Sequence, residues 1–192
     1  MYATHRCRMT GSRVFGPLLR IMILLALAAP MCSPPPVYAA TFTVTSPGDS
    51  GAGTLREAIL GAADGDTILF DGSLAGQTIT LTEPLMLDKD LTIDGSALAS
   101  PVTISGGNAV RILEVAEGAT VWVLGLVFED GQASEAQGEG LANQGGAIRN
   151  AGTLTLTRCT LTGNRGYQGA AIHNATAGYL TVSECTISGN HA

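Results

Sequence analysis

Two segments in the last quarter of this chain repeat one another. They read QGGAIRNAGTLTLTRCTLTGN at 144–164 and QGAAIHNATAGYLTVSECTISGN at 168–190. Aligned, with two extra residues near Thr176, they place Gly145 on Gly169, Ile148 on Ile172, Leu154 on Leu180, Cys159 on Cys185 and Asn164 on Asn190. A unit of about two dozen residues cannot bury its apolar side chains alone, so repeated units must stack on one another.

The alternation of apolar and polar residues is interrupted once within each copy. In the first copy Leu154 and Leu156 alternate with threonine, the phase slips at 157–158, and Cys159 resumes it. A slip between two inward-facing pairs is what a corner between short strands requires. Three short strands and three corners then complete one circuit, called a rung here. We therefore predict an all-β parallel β-helix (solenoid), with rungs about 4.8 Å apart.

Weaker echoes of the repeat lie upstream. TVWVLGLVFEDG and LMLDKDLTIDG show the same inward pattern, and about five rungs fit in residues 66–192. Ahead of them, residues 40–65 predict an N-terminal cap of one strand, a loop and an amphipathic helix. Thr54 and Glu57 have capping-box spacing, and Gly65 suits the helix end. We expect this capping helix to cover the open edge of the first rung.

The C-terminal end has no comparable cover in the sequence. The chain stops two residues after the repeat, at His191 and Ala192. We therefore expect a truncated chain whose partners are further β-helix rungs, a missing C-terminal anchor, or a second copy that associates through the uncapped C-terminal rung.

Residues 1–39 have the order of a secretory signal peptide. Four arginines precede the apolar run IMILLALAA, and small residues, Val37 and Ala39, then stand at the −3 and −1 positions. We predict cleavage after Ala39, with Ala40 as the second choice, and export to the medium or the cell surface. The residues before Cys32 do not suit lipid attachment.

Cleavage makes the mature chain acidic. It removes four arginines and no acid, so 6 basic residues remain against 16 acidic ones, a net charge of 6 − 16 = −10. A surface of this sign disfavours nucleic acid as a partner. We expect carbohydrate, or the surface of a host or neighbouring cell, as the partner instead.

Four residues of the repeat have predicted structural roles. Asn164 and Asn190 follow glycine at a turn, where asparagine tolerates left-handed backbone angles and its amide can bond to the equivalent amide of the next rung. Cys159 and Cys185 stack on adjacent rungs. A disulfide and a pair of thiols both fit that spacing, and we favour the thiols slightly.

Few residues point to chemistry. Asp88, Asp90 and Asp94 alternate outward and could bind Ca²⁺ or act as acid and base, although a solvated face is favoured. Glu129 and Asp130 are interpreted in the same way. His173, opposite Arg149, and His191 have no partner at metal or triad spacing. We therefore predict no catalytic residue and no cofactor.

Two resemblances concern the fold. The marks Gly145-Gly146-Ala147-Ile148 and Leu161-Thr-Gly-Asn164, with their second copies at 169–172 and 187–190, resemble the polymorphic outer membrane protein repeat, with aliphatic residues where that family has Phe. The stretch GTLREA at 53–58 is similar to the Cys-Ser-Leu-Arg-Glu-Ala (CSLREA) segment of secreted bacterial proteins. Together they imply a right-handed, pectate-lyase-like β-helix, associated with the cell surface or outer membrane and often part of a longer chain.

Three functional hypotheses follow. The first is a non-enzymatic, exported stalk or adhesin-like binding module. The second is the N-terminal fragment of a polysaccharide lyase or glycoside hydrolase whose catalytic rungs lie outside this chain. The third is a degraded gene product without function.

Overall fold

The computed structural model describes residues 39–133 and 144–192, which belong to a unit spanning Tyr38–Ala192. Short runs rich in Thr, Val, Ile and Leu form strands that glycine and aspartate interrupt. In chain order these strands are β1 (Thr41–Val44), β2 (Asp66–Phe70), β3 (Thr78–Thr80), β4 (Leu85–Leu87), β5 (Leu91–Asp94), β6 (Thr103–Ser105), β7 (Leu113–Val115), β8 (Thr120–Leu124), β9 (Val127–Glu129), β10 (Ile148–Asn150), β11 (Thr153–Thr157), β12 (Thr160–Thr162), β13 (Ile172–Asn174), β14 (Tyr179–Ser183) and β15 (Thr186–Ser188).

These strands form three parallel sheets. The first has the order β1-β2-β5-β8-β11-β14, the second β15-β12-β9-β6-β3 and the third β13-β10-β7-β4. The cap strand β1 pairs with β2, the next strand along the chain. All other pairings join a strand to the equivalent strand of the adjacent rung. The result is a parallel β-solenoid of about five rungs, which confirms the predicted fold class.

The core consists of inward-facing aliphatic columns. In the first sheet Ile68, Ile93, Val123 and Leu156 lie in register on successive rungs, and each is essentially inaccessible to solvent. In the second sheet Phe128 lies between Ile104 and Leu161. Because like residues stack on like along the axis, the repeat seen in the sequence is also the packing pattern of the core.

The predicted corner at 157–158 is present. Arg158 and Glu184, which follow β11 and β14, adopt φ of 54° and 55°, a left-handed conformation that non-glycine residues rarely take. The backbone reverses the facing of the side chains there, so Leu156 and Cys159 both remain buried. This is the physical meaning of the phase slip.

A second corner, between β9 and β10, contains residues outside the described ranges. Gln132 bridges to Arg165 and Gln144 to Gln168 on either side of residues 134–143. Gln144 lies twelve positions after Gln132, whereas Gln168 lies three positions after Arg165. The strand pairing before and after the corner is nevertheless continuous.

The helix α1 (Leu55–Gly61) is shorter than the amphipathic pattern predicts, because Ala62 is already extended. Thr54 is the N-cap and accepts a bond from the Glu57 N–H, while the Glu57 carboxylate accepts from the Gly53 N–H at 2.8 Å. Leu55, Ala58 and Ile59 are buried. The helix packs on β1 and β2, at the end of the solenoid where the cap is expected.

Lys89 closes the other end of α1. Its ammonium donates to the carbonyls of Ile59, Leu60 and Ala62 at 3.2, 3.0 and 2.7 Å. These acceptors have no intrahelical partner, so the cation satisfies groups that the helix leaves open. Reasoning from the sequence missed this role, because Lys89 lies about 30 residues further along the chain.

The last described rung carries apolar side chains that face inward but remain accessible. Val182 and Ile187 are in register with the buried Leu156 and Leu161, yet are 42 % and 48 % exposed. Leu180 and Cys185 are partly buried beside them. This end of the described solenoid therefore presents an apolar surface beside unpaired strand edges.

Candidate binding face

The outward side of the first sheet is a broad surface built mainly of hydroxyl side chains. Strand alternation puts every second residue there, and the parallel register aligns these residues in rows across six strands. We call this surface the threonine face; it comprises Thr41, Thr43, Thr67, Leu69, Thr92, Asp94, Thr120, Trp122, Leu124, Thr153, Thr155, Thr157, Tyr179, Thr181 and Ser183.

The threonine face is almost free of charge. Of its described positions, Asp94 alone has an acidic or basic side chain, and its carboxylate accepts the Ser96 N–H at 2.8 Å. This is unusual in a chain with 16 acidic residues. Long-range attraction of a charged ligand therefore has little basis at this surface.

Trp122 is the largest side chain of the face and lies near its middle. It shares a row with Thr92 and Thr155 on the flanking strands. The strand alternation that buries Val121 and Val123 directs Trp122 outward, where it is 45 % exposed. Tyr179, at the edge of the face, is 74 % exposed. Partly exposed aromatic residues of this kind recur at binding surfaces.

This arrangement suits a neutral ligand that is apolar on one side and rich in hydroxyl groups at its edges. The indole offers a broad apolar surface for dispersion contacts. The neighbouring threonine hydroxyls can each donate one hydrogen bond and accept others. Sugar rings have this combination of C–H surface and hydroxyl edges.

Two of the three aspartates considered as calcium ligands accept hydrogen bonds from backbone N–H groups. Asp90 accepts the Thr120 N–H at 2.7 Å and Asp94 accepts the Ser96 N–H, while Asp88 is exposed. Within residues 39–133 and 144–192, no group of three or more His, Cys, Asp or Glu side chains is placed to hold a metal ion. Glu129 is the last residue of β9, and Asp130, which follows it, has a φ of 52°.

An ion-pair cluster on the third sheet was not foreseen. Arg149 does align with His173, as the repeat indicates. In addition Glu114 accepts from Arg111 and from Arg149, both at 2.8 Å, and so joins two rungs. Burial, followed by the positive charges of Arg149 and Arg111, lowers the pKa of His173. These ion pairs link adjacent rungs and engage the charged groups of Arg111, Glu114 and Arg149 with one another.

The asparagines form two columns rather than one. The Asn164 amide donates to the Asn190 side-chain oxygen at 2.9 Å and to the Phe128 carbonyl at 3.1 Å. The left-handed angle expected at these positions lies one residue earlier, at Gly163 and Gly189, because glycine adopts it without steric cost.

The second asparagine column is at the end of the third sheet. The Asn150 amide donates to the Asn174 side-chain oxygen at 2.7 Å, and Asn150 is fully buried. The alignment of the two copies already places these residues together, so this column was available from the sequence.

Cys159 and Cys185 are both free thiols in the structure. The Cys159 backbone N–H donates to the Cys185 sulfur at 3.3 Å, which shows how directly the two residues stack. Burial raises the pKa of the Cys159 thiol to about 11. Since a thiolate is the nucleophilic form, Cys159 has no basis for nucleophilic chemistry at neutral pH.

No protein family, curated protein or solved structure matches this chain. In the described part of the chain, no helix has the length and apolar character needed to cross a bilayer.

Proposed function

We propose that this protein is an exported, non-enzymatic β-solenoid that acts as an adhesin-like binding module and holds a neutral polysaccharide on its threonine face. The observation that carries the proposal is the exposed Trp122 among neutral hydroxyl rows on a six-stranded parallel sheet. A rigid sheet holds these groups in place, so ordering them on binding costs little entropy.

Export is supported by the sequence of residues 1–39, with its arginines, apolar run and small residues at the cleavage positions. The mature chain is acidic, which suits a neutral rather than an anionic polysaccharide because like charges repel. The threonine face adds no cation to offset that repulsion.

The Leu-Arg-Glu-Ala motif supports the proposed kinship with right-handed, pectate-lyase-like β-helices of secreted bacterial proteins. Arg56 pairs with Asp49 at 2.6 Å and donates to the carbonyls of Glu83 and Pro84. Burial alone would raise the pKa of Asp49, but bonds from Thr82 and Arg56 hold it below its usual value. The motif thus joins the cap to the first rung.

Binding isotherms on neutral polysaccharides test the proposal. Processed protein is incubated with cellulose, chitin, mannan and starch, and with polygalacturonate as the anionic comparison. We expect binding to at least one neutral polymer. Trp122→Ala should weaken it by about 30-fold, the effect of losing a central aromatic anchor. Tyr179→Ala should weaken it less, because Tyr179 lies at the edge of the face.

Tyr167→Ala is the matched control. Tyr167 is as exposed as Tyr179, at 74 %, but lies at a corner away from the threonine face, so its replacement should leave binding unchanged. Equal losses from Tyr167→Ala and Trp122→Ala, or no binding to any neutral polymer, would contradict the proposed binding face. Release of soluble sugars during incubation would instead favour the lyase or hydrolase hypothesis.

A further inference from the structure

Asp66 occupies a position where a carboxylate is unexpected. It is the first residue of β2 and is in register with Leu91, which continues through Val121, Leu154 and Leu180 in an inward-facing column. Asp66 itself is 4 % exposed. An ionised group in an aliphatic column is unfavourable unless partners compensate its desolvation.

Two backbone N–H groups supply part of that compensation. The Ala63 N–H donates to one carboxylate oxygen at 2.7 Å, and the Ala40 N–H donates to the other at 2.6 Å. These bonds, with the charge of Lys89, hold the pKa of Asp66 below its usual value. The carboxylate is therefore ionised at neutral pH while one of its partners is the nitrogen of Ala40.

Ala40 is the residue that follows the predicted cleavage site. We infer that the signal peptide is removed after Ala39 and that the freed α-ammonium of Ala40 forms an ion pair with the buried carboxylate of Asp66. Removal of the signal peptide thereby stabilises the N-terminal cap. The inference rests on the export part of the proposed function. The cleavage replaces a neutral amide donor by a cation at an unchanged position, 2.6 Å from the carboxylate oxygen.

The same geometry favours cleavage after Ala39 over cleavage after Ala40, the two sites that the sequence leaves open. Ala40 also accepts the Thr67 N–H through its carbonyl at 2.9 Å. Removal of Ala40 would leave that N–H of β2 and one Asp66 oxygen without these partners, whereas cleavage after Ala39 retains both bonds. Ala39 and Ala40 are exposed, so the bond between them is accessible.

Other charged groups of the adjoining segments are already engaged. Lys89 donates to the carbonyls at the end of α1, Asp64 accepts the Asp90 N–H, Asp90 accepts the Thr120 N–H, and Glu57 accepts the Gly53 N–H. The α-ammonium therefore has Asp66 as its direct partner. Lys89 is the sole lysine of the sequence, so the processed chain contains two amines in all.

This pair of amines makes the test direct. The full chain is expressed with its signal segment in a secreting bacterium, and the N-terminal residue of the exported protein is read by mass spectrometry. The exported protein is then labelled with an amine-reactive reagent between pH 6 and pH 11, and the labelled N-terminal peptide is quantified. We expect Ala40 as the first residue, with a labelling midpoint above the ordinary α-amine range of about 7.7–8.0.

Two comparisons isolate the ion pair. Asp66→Asn should return the labelling midpoint to the ordinary range. Nα-acetylation keeps the N–H donor but removes the charge, and should lower the melting temperature at pH 7. Because pairing raises the folded-state pKa of the amine, this difference should be present below the ordinary α-amine pKa and vanish as the pH rises through the raised value.

The outcomes are distinct. A first residue other than Ala40, or an ordinary midpoint in the unmodified protein, overturns the ion pair while leaving polysaccharide binding to be judged on the same sample. A chain that is never cleaved overturns both this inference and the export part of the proposed function. The titration of the unmodified protein needs no variant, so it decides the question even if Asp66→Asn does not fold.

Discussion

Two adjacent glycines in the repeat are required for different reasons. Gly145 has a φ of +68°, a left-handed conformation in which side chains are strained. A Cβ on Gly146 would lie 2.2 Å from the Ala170 carbonyl oxygen and 2.4 Å from that of Arg165. The first glycine thus forms the turn, and the second lets the next rung approach.

Gly146→Ala should accordingly lower the free energy of unfolding by about 1–3 kcal/mol, the usual range for inserting a methyl group into packed structure. Gly72→Ala is the control, since a Cβ there would meet no atom within 4 Å. Urea denaturation of both variants measures the difference. Equal stabilities would mean that the rungs can separate at this corner without cost.

At the scale of the element, α1 depends on groups outside itself. A helix of seven residues is too short to be stable alone in water. Its first turn is held by Thr54 and Glu57, its buried face by β1 and β2, and its last carbonyls by Lys89. The stability of the cap therefore depends on tertiary contacts more than on local helix propensity.

Removal of the Lys89 ammonium should destabilise this cap. Lys89→Met keeps the aliphatic stem but leaves the three helix carbonyls without this donor, and we expect a loss of about 1–2 kcal/mol in unfolding free energy. Arg165→Met, at an exposed corner, is the matched loss of a cation and should have little effect. Hydrogen exchange at the amides of α1 would show whether the loss is local, as expected.

The fold could be predicted because the repeat encodes the register directly. Alignment of the copies placed Ile148 on Ile172 and Asn150 on Asn174, and both pairs are adjacent in the third sheet. The contacts of Lys89, Glu114 and Asp66 could not be predicted in this way. Their partners lie on other rungs or on the cap, at positions that are not equivalent in the repeat. Alignment of the copies therefore does not show which residues meet there.

Trp122 illustrates a different limit. Its alternation with Val121 and Val123 indicates that it faces outward, but the rows of threonine around it exist only once six strands are in register. The candidate site is a property of the assembled sheet. No short motif marks it in the sequence.

At the scale of the whole molecule, the two ends of the described solenoid differ. Helix α1 covers the N-terminal end, whereas Val182 and Ile187 lie exposed on the last described rung. Strand edges there have no partner among the described residues, and an apolar edge of this kind is a template for pairing. Two copies that meet through it would be related by a two-fold axis.

A protein comprising residues 40–192 should therefore associate with itself as its concentration rises. Replacement of Val182 and Ile187 together by threonine keeps the β propensity and should weaken the association at least tenfold, since the buried apolar area is lost. Leu60→Thr, at an exposed apolar position on α1, is the control. Sedimentation velocity over a concentration series measures this. A monomer at every concentration would rule the association out.

The corner between Gln132 and Gln144 has a consequence for engineering. The two rungs that meet there keep their pairing although one of them carries a much longer connection than the other. The pairing of the strands therefore does not depend on the length of the connecting segment at this corner. A foreign peptide inserted between Gln132 and Gln144 should therefore leave the pairing of the flanking strands intact, with both of its ends held by bridges to the next rung.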